Sequence, residues 1–162
     1  MTQLESIAGK VAALLIARKE TIAVAESSTG GLIAVALLAV PGASAYFIGG
    51  AVVYTKASRA ALLGIGDAEM IGMRPSTEAY ALLCARTLRH KMVATWALSE
   101  TGATGPSGNR YGDAAGHTCV AVAGPAEKAA TLETGSTDRR ANMDAFAVRA
   151  LELLLDALSA KA

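Results

Sequence analysis

Aromatic residues and cysteines are both scarce in this chain of 162 residues. Aromatic side chains make up 4% of the sequence, whereas hydrophobic side chains make up 52%. The core must therefore be built from Ala, Val, Leu and Ile, which suits helices packed closely on a sheet. The two cysteines, Cys84 and Cys119, are far apart in sequence. Their spacing argues against a disulfide framework, and no CxxC pair indicates a metal site.

Net charge is low as well, with a formal value of +1. This value gives no basic surface for nucleic acid or an anionic membrane, and we expect neither partner. The uncharged run from Ser27 to Thr55 is the one candidate for a membrane span. Pro41-Gly42 and Gly49-Gly50 divide it into pieces of about ten residues, shorter than the roughly twenty that a spanning helix needs. The N-terminus lacks a signal-peptide pattern, and we expect a cytoplasmic protein.

The hydrophobic pattern predicts one domain, residues 1–162, in which strands and helices alternate. We predict helices over residues 2–19, 31–38, 56–63 and 138–158, with a further helix that begins near Pro75 and Ser76 and ends in the basic residues 86–91. We predict strands over residues 21–25, 50–54, 93–98, 118–123 and 128–133, and an irregular loop over residues 101–116. This order predicts an α/β fold, a three-layer α/β/α sandwich with a mixed, mostly parallel sheet.

Two of the predicted strands end in segments rich in Ser, Thr and Gly. The turn over residues 27–31 lies between a strand and a helix, where backbone N–H groups point towards an anion. Ordinary capping of that helix by Ser or Thr explains the same residues, and spacing alone does not decide between the two. The loop over residues 101–116 follows the third strand. Because ligands bind at the carboxyl ends of parallel strands, we expect both segments to share one crevice.

Six short motifs occur in the order and spacing of one known family. They are AESSTGG (residues 25–31), PGAS (41–44), GG-x3-Y (49–54), LLGI (62–65), TGATGPSG (101–108) and Asp138-Arg139-Arg140. The match to that family covers nearly the whole chain. The sequence resembles the C-terminal domain of the competence/damage-inducible protein CinA, a family whose stand-alone members include nicotinamide mononucleotide deamidase.

The resemblance implies a homodimeric amidohydrolase that removes ammonia from the carboxamide of nicotinamide mononucleotide, without a metal or other cofactor. Ser44 matches the family's nucleophile, and Tyr54 matches a tyrosine that helps proton transfer. Arg59 occupies the position of the family's catalytic lysine. The resemblance places substrate contacts at Glu26, Ser27, Thr29, Gly30, Gly31, Thr101, Gly102, Gly105 and Arg139.

Arg59 leaves two hypotheses open. Arginine stays protonated and accepts no hydrogen bond, so it cannot take the proton of a serine. In the first hypothesis the chain is an amidohydrolase in which Ser44 attacks the amide, and Tyr54 with Lys56 or a water relays the proton. Lys56 lies three residues before Arg59, one helical turn away. In the second hypothesis the chain is a non-catalytic nucleotide- or anion-binding module, and Arg59 pairs with a phosphate or carboxylate of the ligand.

Three further departures from the family pattern lie where the resemblance places ligand contacts. Arg74-Pro75-Ser76 replaces a Val-Ser-Glu sequence near the start of the middle helix, unless that sequence is shifted by one or two residues, and Asp113-Ala114 replaces a Lys-Pro sequence in the second loop. Asp138-Arg139 lacks the adjacent glycine of the family's Gly-Asp-Arg sequence, since Gly135 lies three residues earlier. Together with Arg59, they indicate altered chemistry, an altered substrate or the absence of catalysis.

Overall fold

The computed structural model describes residues 1–160, which form one five-stranded sheet with helices on both faces. The helices are α1 (Gln3–Arg18), α2 (Leu32–Leu38), α3 (Lys56–Ser58), α4 (Glu78–Met92) and α5 (Arg139–Ala160). The strands are β1 (Ile22–Glu26), β2 (Phe47–Val52), β3 (Trp96–Ala103), β4 (His117–Ala123) and β5 (Lys128–Glu133). Within these residues no helix is both long and apolar enough to cross a membrane.

The sheet has the order β2-β1-β3-β4-β5. Strand β1 pairs in parallel with β2 and β3, whereas β4 pairs antiparallel with β3 and β5. Four strands therefore run in one direction and β4 alone opposes them, which confirms the predicted mixed, mostly parallel sheet. Strand β2 forms one edge of the sheet and β5 forms the other.

Helices cover the two faces of the sheet unequally. One face carries α1, α2 and α5 around a large core that includes the buried side chains of Trp96 and Tyr46. The other face carries α4, whose Ala81 and Ala85 pack against alanines of β3 and β4. These small side chains let α4 approach the sheet closely, so few aromatic residues are needed. The three-layer sandwich predicted from the alternation of elements is confirmed.

Helix α4 begins two residues later than Ser76, where the sequence predicted its start. Thr77 caps it by accepting a hydrogen bond from the backbone N–H of Tyr80 at 3.2 Å. Ser76 has a φ of 60° and donates its own N–H to the hydroxyl of Thr101 at 3.1 Å. This backbone conformation is incompatible with a helical residue, because right-handed helices require a negative φ.

Two strands have boundaries that differ from the predicted ones. Strand β3 continues to Ala103, so the irregular loop begins after Ala103 and not at Thr101. The added residues pair with β4, and Gly102 lies opposite Thr118. A Cβ atom at Gly102 would lie 2.5 Å from the carbonyl oxygen of His117, so the glycine is required by close backbone approach and does not mark a turn. Strand β2 begins at Phe47, three residues before its predicted start.

Candidate functional site

A pocket of about 230 Å³ lies at the carboxyl ends of strands β1 and β3. Its lining residues come from the turn after β1, the segment after β2, the end of β3 with its following loop, and the start of α5. They are Ser28, Tyr54, Gly102, Ala103, Thr104, Gly105, Ser107, Gly108, Asn109 and Arg139. The structure thus brings the two Ser/Thr/Gly segments to one crevice, at the carboxyl ends of parallel strands.

Arg139 joins three parts of this pocket. Its Nη1 donates to the carbonyl oxygen of Gly105 at 2.6 Å, and its Nη2 donates to the hydroxyl of Tyr54 at 3.3 Å. Asp138, the preceding residue, accepts the N–H of Ala141 at 3.0 Å and so caps α5. A guanidinium group held in this way presents a cation to the pocket with its orientation fixed.

The turn over residues 27–31 binds carboxylates of the protein itself. The N–H groups of Ser27 and Thr29 donate to Glu100 at 3.1 and 3.0 Å, and the N–H of Gly31 donates to Glu26 at 3.2 Å. The predicted anion cradle therefore has these three donors occupied by side chains of the same chain. This finding corrects the expectation that they are free for a ligand.

Glu26 has a capping role. Its two carboxylate oxygens accept the N–H groups of Ile33 at 2.9 Å and Ala34 at 3.0 Å, in the first turn of α2. A carboxylate at this position satisfies donors that have no partner inside the helix and suits the helix dipole. The alternative interpretation of this turn, helix capping, therefore applies. The capping side chain is the glutamate Glu26, whereas the sequence suggested Ser or Thr.

Ser28 and Glu100 form a pair that the sequence-based assignment of site residues omitted. Ser28 lines the pocket, and its hydroxyl donates a short hydrogen bond to Glu100. Glu100 is only 2% exposed. Burial raises the pKa of the Glu100 carboxyl, and the hydrogen bonds from Ser28, Thr29 and Ser27 lower it, with burial the larger effect. The sequence contained one signal for this pair, the charged residue Glu100 at the end of the mostly apolar segment over residues 96–100.

Thr29 connects the two buried glutamates. Its hydroxyl lies 2.8 Å from a carboxylate oxygen of Glu26 and 3.0 Å from one of Glu100. A hydroxyl has one proton to donate, so only one of these contacts has Thr29 as its donor. Thr29 thus links the two carboxyl groups behind the wall of the pocket.

Arg59 does not line the pocket. It is 6% exposed and begins a π-helical segment, Arg59–Leu63, that continues α3. The predicted regular helix over residues 56–63 is therefore α-helical only in its first part. The Nε atom of Arg59 donates to the carbonyl oxygen of Ile65 at 3.4 Å, and its guanidinium carbon lies 6.0 Å from the ring centroid of Tyr80. The cation at the pocket is Arg139, so the role predicted for Arg59 in ligand binding is corrected.

Lys56 pairs with Asp67 at the surface, whereas a catalytic base would have to contact the nucleophile Ser44. Its ammonium nitrogen lies 2.8 Å from Asp67, and both side chains are mostly exposed. Exposed ion pairs of this kind contribute little to stability, because water and salt screen them. Within the described chain, the Lys56 side chain is therefore engaged at the surface and is not among the residues of the pocket.

Ser44 and Tyr54 lie at opposite ends of strand β2. Ser44 belongs to a short 3-10 turn, Ala43–Ala45, that precedes β2, whereas Tyr54 follows the end of β2. Strand β2 has six residues, and at about 3.3 Å per residue its ends are roughly 17 Å apart. One chain therefore does not bring the predicted nucleophile to the predicted tyrosine.

The predicted site residues divide into two groups. Tyr54, Gly102, Gly105 and Arg139 line the pocket. The others, which do not line it, are Glu26, Ser27, Thr29, Gly30, Gly31, Ser44, Arg59 and Thr101. Most of the second group supports the pocket from behind, through the hydrogen bonds of the turn and of Thr101.

Two of the other departures from the family pattern contact each other. Arg74 forms two hydrogen bonds to Asp113, at 2.8 and 3.2 Å, and so connects the start of α4 to the loop over residues 104–116. The Arg74 guanidinium holds the pKa of Asp113 below its usual value. A lysine at position 113 would place two cations together, so this contact depends on the carboxylate of Asp113.

His117 fastens the same loop to β5. Its Nδ1 makes a short hydrogen bond with Glu133, and its Nε2 lies 2.8 Å from the carbonyl oxygen of Ser76 and 3.8 Å from Asp113. Burial lowers the pKa of His117, but the contacts with Glu133, Ser76 and Asp113 together outweigh it, so the net pKa is raised. A protonated imidazole donates from both nitrogens, which this geometry requires.

A larger groove, of about 720 Å³, lies between α1, α2 and α5 and contains none of the predicted site residues. Its walls include the apolar side chains of Leu4, Val35 and Val148. The chemistry-bearing residues are at the smaller pocket. Among residues 1–160, no group of three or more His, Cys, Asp or Glu side chains could hold a metal ion.

The fold and this pocket define an α/β domain with a ligand site at the carboxyl ends of its parallel strands. The model of the CinA C-terminal domain matches residues 4–158, and the chain belongs to the CinA family. A CinA-like protein of Gloeobacter violaceus is 39% identical over 123 residues, which cover 76% of this chain and 29% of that protein. A CinA-like protein of Anaeromyxobacter is 38% identical over 154 residues, 95% of this chain and 38% of the relative. The chain thus spans about a third of the length of these relatives.

Solved structures share the whole fold. The competence/damage inducible protein CihA of Agrobacterium tumefaciens has a TM-score of 0.90 and 27% sequence identity, with 98% of this chain and 97% of that chain covered. A competence or damage-inducible protein of Enterobacter asburiae has a TM-score of 0.90 and 25% identity, with 98% and 99% covered.

Proposed function

We propose that this chain is an amidohydrolase that converts nicotinamide mononucleotide to nicotinic acid mononucleotide and ammonia. Membership of the CinA family supports this class of reaction. The observation that carries the proposal is Arg139, which holds the hydroxyl of Tyr54 and the carbonyl of Gly105 at one pocket. These contacts bring together a cation for a phosphate and a hydroxyl for proton transfer.

Substrate binding in this proposal relies on Arg139 and on the loop that follows β3. The guanidinium has five N–H donors, and its two observed contacts leave others for a phosphate. Gly105 and Gly108 line the pocket, and a Cβ atom there would lie 2.8 Å from the carbonyl oxygen of Thr137 or closer still to that of Asp113, so glycine holds the loop in the shape that forms the pocket. A single local cation agrees with the low net charge of the chain.

The reaction transfers one acyl group and returns the serine to its starting state. The Ser44 hydroxyl oxygen bonds to the amide carbon, and the C–N bond breaks. Ser44 and Tyr54 lie at opposite ends of β2 in one chain, so the two groups would meet between the copies of the homodimer that the resemblance implies. There the serine proton passes to the oxygen of Tyr54 while the phenol proton passes to the departing nitrogen, which leaves as ammonia. Water then adds to the ester carbon, the acid leaves, and a proton from that water restores the serine hydroxyl.

Ammonia release tests this proposal. Wild-type protein incubated with nicotinamide mononucleotide should release ammonia and nicotinic acid mononucleotide, and Ser44→Ala should abolish the release. Arg139→Ala should raise KM at least about tenfold, since it removes a charge-assisted contact. Arg86→Ala is the matched control, because Arg86 pairs with Glu127 outside the pocket. Folded wild-type protein that releases no ammonia at high enzyme concentration would contradict the proposal.

A second candidate function is supported by the absence of lysine from the residues that line the pocket. In this alternative the chain binds a mononucleotide or another anion without turnover, and Arg139 takes the role first assigned to Arg59. A thermal shift with nicotinamide mononucleotide, lost in Arg139→Ala and unaccompanied by ammonia release, would favour this alternative.

A further inference from the structure

Asn109 lines the pocket, but neither the proposed reaction nor the resemblance gives it a role. We propose that the side-chain amide of Asn109 donates a hydrogen bond to an oxygen of the ligand, and that the carboxylate of Asp113 positions it for this contact. The acceptor is an oxygen of the ligand's nucleoside or of its phosphate. This inference rests on the proposed function for the identity of the ligand, but the positioning by Asp113 can be tested without any ligand.

Three hydrogen bonds fix the orientation of the Asn109 amide. Its Oδ1 accepts the backbone N–H groups of Tyr111 at 3.0 Å and of Asp113 at 3.1 Å. Its Nδ2 donates to Oδ2 of Asp113 at 2.8 Å. In the flipped orientation the nitrogen would face two N–H donors and the oxygen would face a carboxylate, so the observed orientation is the one that satisfies all three contacts.

One N–H of this amide is left for a ligand. The amide nitrogen carries two hydrogens, and Asp113 accepts one of them. Within residues 1–160, Asp113 is the one acceptor that this nitrogen has. Asn109 is partly exposed at the pocket, so an oxygen of a bound ligand can take the second hydrogen. A ligand without an oxygen at this point leaves the donor unpaired and binds less tightly.

Asp113 is itself held in place by Arg74. The two carboxylate oxygens accept hydrogen bonds from Nη1 and Nη2 of Arg74 at 2.8 and 3.2 Å, a bidentate contact. This contact holds the pKa of Asp113 below its usual value, so the side chain stays a charged acceptor at neutral pH. The Asp113 side chain is only 13% exposed, so water competes little for its oxygens. The acceptor that faces Asn109 is therefore fixed in position and in charge.

The lysine of the resembled family could not take over this role at position 113. A lysine carries three donors and no acceptor, so it offers nothing to the N–H groups of Asn109. Its charge would also repel that of Arg74. The positioning of Asn109 therefore depends on a residue at which this chain departs from the family pattern.

The turn that carries this amide is tied at several further points. The backbone N–H of Asn109 donates to the carbonyl oxygen of Asp113 at 3.1 Å and closes the turn. The ring of Tyr111 contacts two guanidinium groups, since the central carbons of Arg74 and Arg110 lie 5.5 and 5.2 Å from its centroid. An amide held in this way loses little conformational freedom when it binds a ligand.

Calorimetric titration tests the contact of Asn109 with the ligand. The titration uses Ser44→Ala protein, in which nicotinamide mononucleotide would not be consumed. Adding Asn109→Ala should raise the dissociation constant about three- to tenfold, the effect of one lost hydrogen bond. Arg86→Ala, outside the pocket, is the control and should leave the dissociation constant unchanged. A folded Asn109→Ala protein that binds as tightly as its parent would overturn the proposal, and so would a folded parent that does not bind.

Nicotinamide riboside shows which oxygen is the acceptor, because it lacks the phosphate. If Asn109→Ala weakens binding of the riboside by the same factor, the acceptor lies in the nucleoside. If it weakens binding of the mononucleotide alone, the acceptor is a phosphate oxygen. Either result supports the proposed contact.

Two variants of the ion pair test the positioning role of Asp113. Asp113→Ala and Arg74→Ala break the same ion pair, but only Asp113→Ala also removes the acceptor of the Asn109 amide. We expect Asp113→Ala to raise the dissociation constant as much as Asn109→Ala does, and Arg74→Ala to raise it less. Equal effects of the two variants on binding, with equal effects on thermal stability, would show that the ion pair alone matters and would overturn the positioning role.

Nuclear magnetic resonance tests the positioning without a ligand. The side-chain amide of Asn109 in isotope-labelled wild-type protein should show restricted motion, which Asp113→Ala should release and Arg74→Ala should largely retain. Restricted motion in all three proteins would overturn the positioning role. If binding and motion change as expected but the wild type releases no ammonia, this inference stands and the proposed reaction fails. Ammonia release together with unchanged binding by Asn109→Ala would have the opposite meaning.

Discussion

The guanidinium of Arg59 lies over the ring of Tyr80, with its central carbon 6.0 Å from the ring centroid. This contact assigns Arg59 to the core beneath α4, although its sequence position is that of a catalytic lysine in the resembled family. The arginine therefore does not replace the lysine's chemistry at the pocket. Its side chain fills space, donates to the carbonyl of Ile65 and keeps its charge over an aromatic face.

Removal of the Arg59 side chain should therefore affect stability more than ligand binding. We expect Arg59→Ala to lower the free energy of unfolding by about 2–4 kcal/mol, because it leaves a cavity and an unpaired carbonyl. Arg139→Ala should change stability by less than about 1 kcal/mol and should remove the stabilisation by mononucleotide. Urea denaturation with and without nicotinamide mononucleotide measures both. Loss of ligand binding in a fully stable Arg59→Ala protein would contradict this assignment.

Glu100 should depend more on its acceptor oxygens than on its negative charge, because burial raises the pKa of its carboxyl. Glu100→Gln keeps an acceptor for the N–H groups of Ser27 and Thr29 and places an amide near the hydroxyl of Ser28, so unfolding free energy should change by less than about 1 kcal/mol. Glu100→Leu removes every acceptor and should cost about 3 kcal/mol or more. Equal losses in the two variants would show that the charge of Glu100 is essential.

The pH dependence of stability gives a second measurement on Glu100. Its pKa in the folded protein is raised above the ordinary value of 4.5, so the folded state holds more protons just above that pH. The stabilisation is therefore complete below the ordinary pKa and is lost as pH rises through the raised one. Glu100→Gln should remove this decline from thermal melts recorded across that range. An unchanged pH profile would exclude a raised pKa.

His117 should give a similar trend at higher pH. Its folded-state pKa is raised above 6.5, so its contribution to stability is present below that value and is lost as pH rises through the raised pKa. Wild type should therefore melt at a higher temperature at about pH 6 than at about pH 9, and His117→Gln should reduce the difference. Thermal melts of Glu133→Gln provide the control, because this variant retains the histidine and removes its carboxylate partner. A difference that is equal in all three proteins would rule out His117 as its source.

Two glycine-to-alanine variants should have opposite effects. Gly102→Ala places a Cβ atom 2.5 Å from a backbone oxygen of β4 and should lower the unfolding free energy by about 2–4 kcal/mol. Gly9→Ala lies in α1 with nothing within 4 Å of the new atom and should stabilise by about 0.5–1 kcal/mol through helix propensity. Chemical denaturation of both variants gives the comparison. A tolerated Gly102→Ala would show that β3 and β4 separate easily at this position.

Much of the fold follows from local patterns in the sequence. The helical spacing of apolar residues and the β-branched runs predicted the five strands and the three layers. The end of β3 was missed because Thr101 and Gly102 have low strand preference alone, and pairing with β4 decides their conformation. The start of α4 was displaced by a contact between Ser76 and Thr101, which are distant in sequence.

The composition of the pocket was less accessible to sequence reasoning. Gly102, Gly105, Tyr54 and Arg139 were found through motifs, but the partners of Ser27 and Thr29 depend on how β3 lies beside β1. Glu100 attracts those donors because it is buried, and burial is a property of the folded sheet. A motif therefore identified the turn, and the neighbouring strand determined what the turn binds.

The hydrogen bond from Ser28 to Glu100 has a consequence for what the pocket wall can recognise. Because the proton of Ser28 is directed towards Glu100, its oxygen presents lone pairs to the pocket. A carboxamide brings N–H donors that match such an acceptor, whereas a carboxylate brings none. In the proposed reaction the wall would favour the amide over the acid formed from it, and this difference would promote release of the acid once the nitrogen has gone.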